Sequence, residues 1–90
     1  SLVVAVNKAY TSIAFQMSTA ALGELSQPGA PLYGIQHTNG GRIVIFGGGE
    51  VLEQNGKMIG ALGVSGGTAK QDTDLAAYGK SVFEEVLTCL

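Results

Sequence analysis

Asn55-Gly56 constrains this chain more than any other feature. A type I′ turn needs positive φ at both central positions, and Asn followed by Gly meets that need at the least steric cost. The dipeptide separates residues 50–54 from residues 57–64, two short runs that read as strands. An antiparallel hairpin follows, in which Leu52 faces Ile59 and Glu53 faces Met58. Residues 42–46 are apolar on both faces and read as a third strand covered on both sides. Gly60 and Gly63 leave gaps in the last strand where another element can come close. The stretch from Gly40 to Gly67 is therefore expected to be an antiparallel meander of three strands.

Helical patterns flank the meander. Leu2, Val6, Ala9, Ile13 and Met17 recur at helical spacing, with Val3, Tyr10 and Ala14 beside them, which predicts an amphipathic helix over residues 2–16. Ser18 or Thr19 can cap a second short helix over 20–25. Pro28-Gly29-Ala30-Pro31 then breaks regular structure, with at most a single turn over 32–38. After Ser65-Gly66-Gly67, Thr68 stands three residues before Gln71, the spacing of a capping box. Asp72 and Asp74 put negative charge where the helix dipole favours it. Leu75, Tyr78, Val82, Phe83, Val86 and Leu90 line one face to the end. The expected architecture is α+β, an antiparallel sheet flanked by helices in profilin-like layers. Residues 1–90 are expected to belong to one domain, incomplete on its N-terminal side, whose sheet has more strands than this chain supplies.

Charged residues make up only 13% of the chain against 46% hydrophobic ones, which leaves apolar surface for a partner to cover. The expected remedy is another copy of the chain, a homo-oligomer, or a further part of the same domain. The five basic residues are scattered, so no stripe exists to follow a phosphate backbone and nucleic acid is not an expected partner. No apolar run reaches the roughly 18 residues of a membrane span. Cys89 is the single cysteine, which rules out an intrachain disulfide and a cysteine zinc cluster and fits a cytoplasmic setting.

Few residues carry chemistry. Gly47, Gly48 and Gly49 follow a strand but lead into another, whereas a nucleotide loop would open a helix. They read as a bulged corner or as a surface where backbone amides approach a flat or anionic ligand. Gly66 and Gly67 do enter a helix, where free amides can hold an anion or be capped locally. Lys8, within an apolar helix, either snorkels to solvent or faces a site. His37, the one histidine, reads as a surface hydrogen-bonding residue or a ligand contact. Arg42 is expected to pair with a carboxylate or a carbonyl. No catalytic constellation is visible, and no metal site is expected.

The ordered blocks are more specific than any one of these residues. Asn7-Lys8-Ala9-Tyr10-Thr11, Phe15, Gln27-Pro28-Gly29, Pro31-Leu32-Tyr33-Gly34, Gly41-Arg42-Ile43-Val44, Phe46-Gly47-Gly48-Gly49, Val51-Leu52, the run from Ile59 to Gly67 and Gln71-Asp72 together resemble the GlcG/HbpS family. That family includes the C-terminal domain of PduO-type proteins. The resemblance covers nearly the whole chain and implies a longer domain that begins with a further helix and β-hairpin. It implies an accessory domain that binds haem or a corrinoid-related tetrapyrrole within an oligomer. In PduO-type proteins the proposed haem ligand falls in that N-terminal part. On this reading Lys8, His37, Gly47, Gly48, Gly49, Gly66 and Gly67 are the candidate ligand-binding residues. The alternatives are a structural assembly module, or an accessory protein of glycolate or diol utilisation linked to a cobalamin adenosyltransferase, with His37 as acid or base.

Overall fold

A computed structural model describes residues 1–89. Leu90, expected to extend the apolar line of the last helix, lies outside the described residues. Helix α1 spans Leu2–Phe15 and helix α2 spans Thr19–Leu25. Two 3-10 turns, Ile35–His37 and Asn39–Gly41, precede strands β1 (Gly49–Gln54) and β2 (Lys57–Gly63). Helix α3 spans Ala69–Thr88.

The local signals in the sequence act as expected at most of these ends. Ser18 caps α2 by accepting from the Ala21 amide at 3.1 Å. Thr68 and Gln71 close a full capping box at the start of α3, each side chain accepting the other residue's amide. Asn55 (φ 53°) and Gly56 (φ 78°) both take positive φ, and β1 and β2 pair antiparallel around them. Glu53 faces Met58 as read from the sequence, but Leu52 faces Gly60 rather than Ile59. An irregularity between Leu52 and Glu53 absorbs one extra residue and shifts the ladder by one.

The sheet has two strands, not three. Residues 42–46 are irregular and run between two helices. Thr11 Oγ1 of α1 accepts the Val44 amide at 3.0 Å, and α2 comes so close that a Cβ on Gly23 would collide with the Ile45 carbonyl. The covering on both sides is there, but helices supply it. The outer edge of β1, where a third strand would pair, is held by α3. Lys80 Nζ donates to the Val51 carbonyl, and Glu84 accepts the Glu53 amide at 2.9 Å. Taking up such edge groups is one way a sheet avoids unwanted pairing. Among the described residues, nothing comparable takes up the free edge of β2. Outside its ladder with β1, no hydrogen bond among the described residues reaches residues 57–63.

Helix α1 lies against both strands, and α3 packs mainly along β1. The interior between them is unusually polar. Among the described residues, six polar or charged side chains are buried (Lys8, Thr11, Ser12, Thr19, Ser26 and Asp72), against four apolar ones (Leu22, Ile43, Leu52 and Ala76). The apolar side of α1 is turned outward: Leu2, Val3, Val6 and Ile13 are exposed, while Lys8, Thr11 and Ser12 point in. The helical period read from the sequence is therefore right, but the apolar row it marks is turned mostly outward instead of toward the sheet. Small residues make this packing possible. A Cβ on Gly63 would collide with the Ala5 carbonyl, so the α1 backbone rests directly on β2. Leu75, Tyr78, Val82, Phe83 and Val86 of α3 are exposed as well.

Candidate functional site

The buried ammonium of Lys8 organises the centre of the molecule. An isolated charge cannot stay buried without partners, and Lys8 has three. Its Nζ donates to the Val64 carbonyl at 2.7 Å and to Asp72 Oδ2 at 3.2 Å, and it lies 5.0 Å from the centroid of the Phe46 ring. Asp72 Oδ1 in turn accepts the Gly67 amide at 3.0 Å. That amide holds the Asp72 carboxyl below its ordinary range, against the opposing effect of burial, with Lys8 adding to the lowering. The ammonium thus ties α1 to the end of β2 and to the first turn of α3.

The glycine corner fits around this pair. Gly48 has φ 125°, and a Cβ there would lie 2.7 Å from Lys8 Nζ. A Cβ on Gly47 would collide with Thr73 of α3, and one on Gly49 would lie 2.8 Å from Ser12 Oγ. The Gly49 amide donates to Thr19 Oγ1 at 2.9 Å. The three glycines are where α1, α2 and α3 meet, and all three are buried.

Six of the seven candidate residues are thus brought together: Lys8, Gly47, Gly48 and Gly49 directly, Gly67 through Asp72, and Gly66 beside it. Lys8 does not snorkel; it is wholly buried. Of the amides entering α3, those of Gly67, Thr68 and Gln71 are met by the chain's own Asp72, Gln71 and Thr68 side chains. His37 stands apart, exposed in its 3-10 turn, with no hydrogen bond to its side chain among the described residues. Asp72 is the member that sequence reading passed over. Its place in a first helical turn explained it fully, and nothing local showed that Lys8, 64 positions earlier, would reach it.

A second cluster sits on the surface of α1. The Arg42 guanidinium stacks 3.8 Å from the centroid of the Tyr10 ring, and its Nε donates to Asn7 Oδ1 at 3.2 Å. Asn39 Nδ2 donates to the Tyr10 hydroxyl at 2.9 Å. Arg42 thus pairs with a carbonyl oxygen, one of the two partners expected of it, here from the Asn7 side chain, and with an aromatic face. No described carboxylate forms an ion pair with it.

A cavity of about 430 Å³ opens elsewhere, between the hairpin turn and the end of α3, lined by Glu53, Gln54, Asn55, Glu84, Leu87 and Thr88. Glu84 is held ionised below its ordinary range by the Lys80 ammonium and then by the Glu53 amide. Burial raises the Glu50 carboxyl nearby, against the pull of Lys80. No candidate residue lines this cavity. Among the described residues, no group of three His, Cys, Asp or Glu side chains is placed to hold a metal ion. No described helix is long and apolar enough to cross a membrane.

The family model described as haem-degrading protein HbpS-like matches residues 1–80. The chain belongs to this HbpS-like family. An uncharacterised 15.0 kDa protein of Citrobacter freundii, from the dhaT-dhaS intergenic region, is 51% identical over 92% of this chain and 58% of its own length. The corrinoid adenosyltransferase PduO of Salmonella typhimurium is 45% identical over 81% of this chain and 22% of its own length. Among solved structures, protein ORFY of Klebsiella pneumoniae superposes with a TM-score of 0.85 at 43% identity, over 90% of this chain and 56% of that one. A structure described as a PduOC:haem complex superposes with a TM-score of 0.82 at 42% identity, over 87% of this chain and 56% of that one. The HbpS-like chain thus spans just over half of the 15.0 kDa relative and of each solved structure, and less of PduO. The likeness to the two structures bears out an antiparallel sheet flanked by helices. The HbpS-like match ends within α3, after the capping box, the glycine corner and the Lys8–Asp72 pair have all been included.

Proposed function

We propose that this chain is part of an accessory domain that binds haem or a related tetrapyrrole and acts as an oligomer. The observation that carries the reading is the likeness to the PduOC:haem complex, at 42% identity across 87% of the chain. The family description points the same way.

The chain's own surface fits such a group in part. The exposed row on α1 offers an apolar face of the kind a flat macrocycle can cover. The one cavity described above does not fit, because its glutamates would repel the carboxylates of haem. Bound haem would supply iron-centred redox chemistry and an absorbance that reports its own binding. Lys8 and the glycine corner serve this reading as the frame that holds α1 in place rather than as contacts. The oligomer is supported by the exposed Leu75, Tyr78, Val82, Phe83 and Val86 of α3 and by the open edge of β2.

Titrating haemin into the purified protein tests the reading. A saturable shift of the Soret band at about one equivalent is expected, with an oligomer seen by light scattering. An unshifted spectrum in excess haemin would contradict it. An oligomer that forms and ignores haemin would favour an assembly module instead, which the same exposed apolar side chains also motivate.

A further inference from the structure

Arg42 differs from the other cations of this chain in how it is held. Lys8, Lys70 and Lys80 each pair with carboxylates. Lys57 is exposed in the hairpin. Arg42 is exposed too, but it is fixed in place by neutral groups. The guanidinium Cζ lies over the Tyr10 ring, 3.8 Å from its centroid, Asn7 Oδ1 accepts from Nε, and Asn39 donates to the Tyr10 hydroxyl. No hydrogen bond among the described residues uses its two terminal nitrogens. An arginine normally loses side-chain freedom when it grips an anion, and here much of that loss has been met in advance. The free edge is the fork that matches a carboxylate with two parallel hydrogen bonds.

What borders the fork identifies the rest of the ligand. Val3, Val6, Tyr10 and Ile13 recur at intervals of three and four, and so form one row along α1. Val3, Val6 and Ile13 are exposed, and Tyr10 is half-buried beneath Arg42. Asn7 and Arg42 flank this row. The surface is an apolar strip with a single fixed cation at its margin.

We infer that the outward face of α1 is a binding surface for a flat apolar ligand that carries a carboxylate, with Arg42 as the carboxylate anchor. The inference rests on the tetrapyrrole reading above and deepens it: the macrocycle lies along Val3, Val6 and Ile13, and a propionate meets Arg42. Charge complementarity selects this occupant over a plain hydrophobic partner, because a purely apolar surface would leave the guanidinium without a counter-ion. Tyr10 and Asn7 are positioning residues that hold the fork.

Haemin and haemin dimethyl ester, whose propionates are neutral, separate the two contributions. The protein is expected to bind haemin about fivefold more tightly than the ester, the scale of one exposed ion pair at the favourable end. Arg42→Gln should bind both alike, at the ester's affinity, and Arg42→Lys should fall between because it keeps the charge and loses the fork. Val6→Glu should weaken both ligands by at least about tenfold, since it places a charge within the apolar strip. Circular dichroism confirms that each variant is folded. If Arg42→Gln keeps the preference for haemin, the anchor is wrong and the haem reading stands. If Val6→Glu leaves both affinities unchanged but dissociates an oligomer, the α1 face is an interface between copies and the inference fails. If neither ligand binds the unaltered protein, the inference and the haem reading fall together.

Discussion

Lys8→Met is expected to destabilise the fold by about 3 kcal/mol, a fall in melting temperature of roughly 12–24 °C for a domain of this size. Methionine nearly preserves the volume, so the loss is electrostatic. The Val64 carbonyl loses its donor, and Asp72 is left as a buried carboxylate without its cation. Removing one partner of a buried pair costs far more than the pair itself contributes. Adding Asp72→Asn to Lys8→Met should recover part of the loss, because the neutral amide oxygen can still accept from Gly67. Thermal melts followed by circular dichroism decide this, and an unchanged melting temperature would show that Lys8 is not buried as described. The pair also sets a pH dependence. The Asp72 carboxyl is depressed in the folded state, so its contribution is present above the ordinary carboxylate value of about 3.9 and is lost as pH falls through the folded value. Lys8→Met should shallow that acid transition without abolishing it, because the Gly67 amide is the larger cause of the shift.

Gly63→Val should be nearly as damaging, at about 3 kcal/mol, the upper end for overpacking. Its Cβ would collide with the Ala5 carbonyl and lie 3.0 Å from the Ala9 amide nitrogen. Both are backbone atoms of α1 and cannot rotate aside, so the helix has to move. Gly60→Val, three residues earlier on the same strand, is the matched control. A Cβ at Gly60 meets nothing within 4 Å. Neither glycine has positive φ, so valine's backbone preference is not at issue. Gly60→Val should stay within about 0.5 kcal/mol of the parent. Chemical denaturation of the two variants side by side provides the test. Equal losses would mean that α1 does not rest on β2 at Gly63.

These two variants mark where the sequence was legible and where it was not. Signals confined to a few neighbouring residues were readable: Asn55-Gly56 for the turn, Thr68 with Gln71 for the start of α3, Ser18 for α2. The register could be read as far as Glu53 and Met58 and then slipped, because an extra residue in a strand leaves no mark in composition. Residues 42–46 are apolar on both faces, and that pattern does not say whether strands or helices do the covering. The face of α1 was the largest miss. Periodicity locates an amphipathic helix, but the rule that its apolar side faces inward assumes that the polar side has nothing better than water. Here Lys8 finds Asp72 and Val64, and Thr11 finds Asn7 and Val44. Apart from Thr11 with Asn7, one helical turn away, those contacts join residues far apart in sequence, and the glycine corner that admits them read as a bulge or a ligand surface. Ser12 shows that the arrangement is not complete, since its buried hydroxyl has no hydrogen-bond partner among the described residues. The Arg42–Tyr10 stack was hidden for the same reason, 32 positions of chain lying between two residues that each had an ordinary local explanation.

The orientation of α1 is the claim on which the frame and the ligand surface both depend, and thiol labelling measures it directly. Cys89 is exposed and serves as the internal reference. Val6→Cys should react with a small maleimide about as fast as Cys89, and one equivalent of haemin should slow it while leaving Cys89 unchanged. Ser12→Cys, on the inward side, should react only on unfolding. Rapid modification at Ser12→Cys with protection at Val6→Cys in the absence of haemin would mean that α1 buries its apolar row after all, and would contradict the account.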